Sequence, residues 1–163
     1  MASGDTLLAW RAQDYEPPSA DPATIDRRNA HFVLDFDAST NESAVFGGVM
    51  PRNYAGGGVT VYLHYAMSAA TSGDVDWDTS FERVGDQQLD IDADSFATAN
   101  SVDNTTVPAT SGNVDIVNVA HTDGAEIDSI AVGEYFRLKV TRDAASDTAT
   151  GDAELVAVEI KET

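Results

Sequence analysis

The chain has 163 residues, no cysteine and a formal net charge of −19, set by 28 acidic side chains against 9 basic ones. That length suits one domain with a core that needs no staple, and the missing thiols exclude both a disulfide framework and a thiolate metal site. No basic stripe is available to meet phosphates and no run approaches the ~18 apolar residues of a helical span, so neither nucleic acid nor a membrane is expected as a partner.

Residues Met1 to Arg28 carry three of the five prolines, Pro17, Pro18 and Pro22, and little periodicity. Proline favours extended backbone in the residue before it, so the stretch reads as an extended arm (1–28) ahead of a folded domain (29–163). Leu7, Leu8, Trp10 and Tyr15 are too much apolar surface to leave in water. With Pro17 and Pro18 they form the expected partner-binding set, docked on the chain's own domain, a neighbouring subunit or a larger partner. The start MASGDTLLAW lacks a basic stretch followed by an apolar one, so assembly in a cytoplasm is expected.

From Asn29 onward, strand patterns arrive at steady intervals: 30–37, 44–50, 58–67, 75–84, 95–102, 114–121, 134–142 and 153–161. The segments between them are rich in Gly, Asn, Asp, Ser and Pro, the residues of turn chemistry. One helical turn fits 125–131. The clearest alternation is Val59, Val61, Leu63, Tyr65 and Met67, repeated after a short loop by Val75, Trp77, Thr79 and Phe81. Residues 68–73 are too few for a crossover helix, so these two strands are expected to pair as an antiparallel hairpin with one face in the core and one in water. Trp77, on the apolar face, is expected in the core. Eight strands without a βαβ pattern predict an all-β, eight-stranded antiparallel double-sheet sandwich of jelly-roll type. An immunoglobulin-like sandwich is the alternative, without its Cys–Trp–Cys signature.

The acids number 20 Asp and 8 Glu, and the only lysines are Lys139 and Lys161. At low ionic strength such like charges destabilise a compact state. The Debye length falls from ~10 Å at 0.1 M to ~3 Å at 1 M salt, so a stable fold is expected in concentrated salt. Asp-rich, Lys-poor surfaces resemble those of proteins from extreme halophiles, above all haloarchaea.

Nothing in the sequence carries catalysis. His31, His64 and His121 each stand alone in a strand pattern, and no HExxH, GxSxG or phosphate-cradling loop is present. No enzyme activity and no cofactor are expected. Asp74, Asp76 and Asp78 alternate along a strand, roughly 6.5–7 Å apart, too wide for one cation. Asp90, Asp92 and Asp94 open like a calcium loop, but Ser95 replaces the turn glycine and Ser101 the closing Glu. No metal site is expected. Tyr54, Tyr62 and Tyr135 are the candidates for stacking on sugar rings.

The segments FGGVMPRNYAGGGVTVYLHYAMSAATSGDVDWDTSFERV, DIDADSF, GAEIDSIAVGEYFRLKVTRD and TATGDAELVAVEIKET together resemble a group of small proteins encoded in tailed-phage and prophage genomes. The resemblance covers residues 44–163. It implies a virion structural protein, a jelly roll that decorates and braces a capsid as a trimer, with the major capsid protein or other virion subunits as partners and no active-site residues. With the acidic surface it implies an archaeal tailed virus of a haloarchaeal host. The alternative function is a carbohydrate-binding or tail-fibre β-sandwich that recognises the host surface.

Overall fold

The computed structural model describes residues 4–163. Eleven strands form two antiparallel sheets: β1 (Thr6–Arg11), β2 (Tyr15–Glu16), β3 (Thr24–Arg28), β4 (His31–Phe36), β5 (Ser43–Val49), β6 (Val59–Met67), β7 (Asp74–Val84), β8 (Asn100–Thr106), β9 (Asp115–His121), β10 (Tyr135–Arg142) and β11 (Ala153–Glu162). One sheet runs β3-β4-β11-β6-β9, with β1 also paired to β11; the other runs β2-β5-β10-β7-β8. A single 3-10 turn at Ala125–Ile127 occupies the expected helical segment.

The sandwich architecture follows the alternation. Val59, Val61, Leu63 and Tyr65 on β6 face Val75, Trp77 and Phe81 on β7 across one continuous core. Trp77 is fully buried, edge-on to Phe36 at 5.1 Å and to Tyr65 at 5.4 Å. Beneath it lies a buried cation. Arg142 donates to Asp147 (Nε–Oδ2 2.7 Å) and to the carbonyls of Phe36, Ala149 and Gly151, with neither charged side chain reaching solvent. This clamp pins the 143–151 loop to β4 and β10.

Four expectations are corrected. The strands number eleven rather than eight. The separate extended arm is absent over residues 4–28, its first three residues lying outside the described ones: β1 and β3 belong to one sheet of the sandwich and β2 to the other. Leu7 and Trp10 are buried, Trp10 donating its indole N–H to the Gly47 carbonyl at 3.0 Å. A register break between Thr6 and Leu8 hides the alternation of β1, while β2 has two residues and β3 is an almost wholly exposed edge strand, so none of the three carries the pattern of a half-buried strand. Third, β6 and β7 do not pair. Residues 68–73 carry the chain from one sheet to the other, a distance of ~10 Å, and alternation reports which face is buried rather than which strand lies alongside. Finally, the strand expected at 95–102 begins only at Asn100. Residues 85–99 instead form a strap that folds back over the outer face of β7, so that Ser80 and Glu82, expected in water, are buried.

Candidate functional site

Strand β10 reads YFRLKVTR. Its alternation sends Phe136, Leu138, Val140 and Arg142 into the core and leaves Tyr135, Arg137, Lys139 and Thr141 on the outer face. Tyr135, Arg137 and Lys139 of this outer row are the floor of a trough. One wall is the segment Glu16–Ala20, held along β5 by the pairing of Glu16 with Val45 and by a bridge between Pro22 and Ser43. The other wall is the strap, fixed where the Ser95 N–H donates to Glu82, Asp94 pairs with Arg137 and the Ala97 N–H donates to the Phe81 carbonyl at 2.8 Å. Two adjoining depressions make up the trough and share Glu16 and Arg137. The larger, about 450 Å³, extends to Pro17, Pro18, Phe96 and Lys139. The smaller, about 180 Å³, lies between Tyr135 and Leu89 and Ile91 of the strap.

Charge along the floor is organised. Arg137 bonds the wholly buried Glu82 (Nε–Oε2 2.5 Å) as well as Asp94. Arg137 and Lys139 both lie over the Phe96 ring, at 5.1 and 4.6 Å from its centroid. Among the described residues Lys139 forms no ion pair, which leaves its ammonium available inside the larger depression. Tyr135 is 36% exposed, and its hydroxyl lies 3.3 Å from Glu16 Oε1. Burial, and then the Glu16 carboxylate, hold its phenol above the ordinary range. Their approach depends on Gly47: a Cβ there would fall 2.5 Å from the Tyr135 hydroxyl and 2.9 Å from Glu16 Oε1.

This arrangement can bind a ligand. An amphipathic phenol stands at one end of a floor of donors and acceptors, a pattern suited to a ligand with apolar faces and many hydroxyls. The hydroxyl–imidazole pair of Thr79 Oγ1 with His121 Nε2, at 2.8 Å, is buried in the core. Burial also keeps that imidazole below its usual pKa. A further depression of about 350 Å³ on the opposite sheet, between Arg28, His31 and Val114, has no Tyr, Trp or Phe in its lining.

Of the residues singled out from the sequence, Pro17, Pro18 and Tyr135 come together in the trough. Tyr15 is half-buried beside it on β2, whereas Leu7 and Trp10 face the chain's own core and Leu8 is half-buried against it. Tyr54 is buried, and Tyr62 lies on the other sheet beside Lys161. The alternating carboxylates serve as stitches, Asp74 and Asp78 accepting from the Thr106 and Ser101 hydroxyls and Asp76 from the Asn104 N–H. Sequence reasoning did not single out Glu16, Glu82, Phe96, Arg137 and Lys139. One signal was present: RLKVTR places three of nine basic residues in six positions of a strongly acidic chain.

No protein-family model and no curated protein matches the chain. Among solved structures it resembles a family 35 carbohydrate-binding module from an environmental isolate, with a TM-score of 0.57 and 11% identity over 96% of this chain and 94% of that one. It also resembles the xylan-binding CBM22-1 domain of a Paenibacillus barcinonensis protein (TM-score 0.54, 13% identity, 99% and 97% covered). A third likeness is to the C-terminal CBM6 of a marine laminarinase from Zobellia galactanivorans (TM-score 0.53, 12% identity, 97% and 100% covered). At such identities the likeness is one of fold.

Proposed function

We propose that the chain is a non-catalytic carbohydrate-binding β-sandwich that holds its ligand in the trough over β10. The observation that carries this reading is the placement of Tyr135, about a third open to solvent, at the end of a walled floor of hydrogen-bonding side chains. The shared architecture with carbohydrate-binding modules supports it over nearly the full length of the chain. Recognition of host-surface glycans by a virion component is compatible with this reading. A capsid-clamping role loses its expected instrument, because residues 4–28 lie along the sandwich and contribute three of its strands. Affinity electrophoresis in gels containing soluble polysaccharides tests the proposal. At least one polysaccharide should retard the wild-type protein, and Tyr135→Ala, an exposed change with little effect on stability, should abolish the retardation. Unchanged mobility across a broad panel would overturn the reading.

A further inference from the structure

The trough has a direction. Its floor residues pair in order along β10: Lys139 opposite Val45, Arg137 opposite Glu82, and Tyr135 opposite Val84. It therefore runs lengthwise down one strand, and the four steps from Tyr135 to Lys139 span roughly 13 Å. Both long sides are walled, one by the Glu16–Ala20 segment and the other by the strap. A site for a single sugar or a chain end is a closed cup. A corridor with two side walls admits an extended chain and leaves no lateral room for branches.

The charges narrow the chemistry. Glu16, Glu82 and Asp94 face Arg137 and Lys139, so the trough is close to neutral and slightly negative, within a molecule of net charge −19. A polyanion gains little there and is repelled at longer range. Resting on the carbohydrate reading above, we infer that the trough binds an internal stretch of a neutral, unbranched polysaccharide laid along β10, with Tyr135 and Lys139 contacting different sugar units. Tyr135 packs against one unit, while Lys139, four residues and roughly 13 Å away, donates to the hydroxyls of another.

Isothermal titration with the full chain tests this, using oligosaccharides of two to eight units from whichever polymer retards the protein, each also with its reducing end converted to the alditol by borohydride. Affinity should climb with length until the corridor is filled, and alditol formation on long chains should leave it unchanged. Lys139→Ala should weaken the longest oligosaccharide by about tenfold, the value of a hydrogen bond to a charged group, and leave the disaccharide within twofold. Alginate and polygalacturonate should not compete. A disaccharide that binds as tightly as the octasaccharide, loss of binding on end reduction, or preference for the acidic polymers would overturn the inference while leaving the carbohydrate reading intact. Failure of every glycan to bind would remove both.

Discussion

Two arginines on one strand, five residues apart, do different work. Arg142 points inward, is fully buried and meets only protein: one carboxylate and three backbone carbonyls. Arg137 points outward, is about a fifth exposed and meets a buried Glu82, an open Asp94 and the face of Phe96. The inner cation closes a loop and has no donor to spare. The outer one fixes the strap at the height that makes a wall, and its surroundings stay open to a ligand. Burial on one side of a sheet thus makes a clamp, and partial exposure on the other makes a site.

The comparison breaks first at Arg142. Arg142→Met leaves Asp147 buried without its cation and should cost about 3–5 kcal/mol, read as a fall in the urea midpoint. Adding Asp147→Leu should recover most of that loss, because an apolar pair needs no desolvated charge; a double variant as unstable as the single one would show that the carbonyl contacts dominate. Arg137→Met should cost less, about 1–3 kcal/mol, since Glu82 keeps the Ser95 N–H. It should also loosen the strap, which hydrogen exchange over 94–97 would register as lost protection.

Asp35 tests the same rule from the other side. It is a carboxylate with a buried Oδ1 that has no hydrogen-bond partner among the described residues. Burial first, then the charges of Glu154, Asp26 and Asp152, raise its pKa from 3.8 to about 6. The folded chain therefore holds a proton that the unfolded chain has released, so this group's contribution to stability falls as pH rises from about 4 to 6. Asp35→Asn should raise Tm at pH 7 and leave it nearly unchanged near pH 4. A variant no more stable at pH 7 than the wild type would contradict the raised pKa. The smallest stability effect is expected at Lys139, which among the described residues forms no ion pair and loses a contact with the Phe96 ring: Lys139→Ala should stay within about 1 kcal/mol in urea unfolding.

Where side chains alternate cleanly the fold was legible. The strands from His31 to Val84, and those at β9, β10 and β11, lie within one or two residues of their patterns, because each buries one face against a single core. Trp77 was placed in the core on the same ground. Three segments escaped. The N-terminal strands hide behind a bulge, a two-residue span and an exposed edge. In β8, NSVDNTT has almost no apolar residue to mark a face. The strap has the composition of a loop yet buries Glu82. The site fared worse than the fold because it is made across the chain: Glu16, Phe96 and Arg137 are far apart in sequence and meet only through β2–β5 and β7–β10 pairing. Alternation places a residue on a face but carries no information about what crosses that face.

Strands β1 and β11 run antiparallel, with Thr6 beside Lys161, and the Gly4 N–H donates to the Glu162 carbonyl at 2.7 Å. The two ends of the described chain thus leave the sandwich from one corner. Tension applied between them would load this pair as a zipper, breaking its hydrogen bonds one after another from Gly4 towards Arg11 rather than shearing them together. The domain should then yield at low force by peeling off β1, which draws Leu7 and Trp10 out of the core, while the sheet bearing the trough is last to feel the pull.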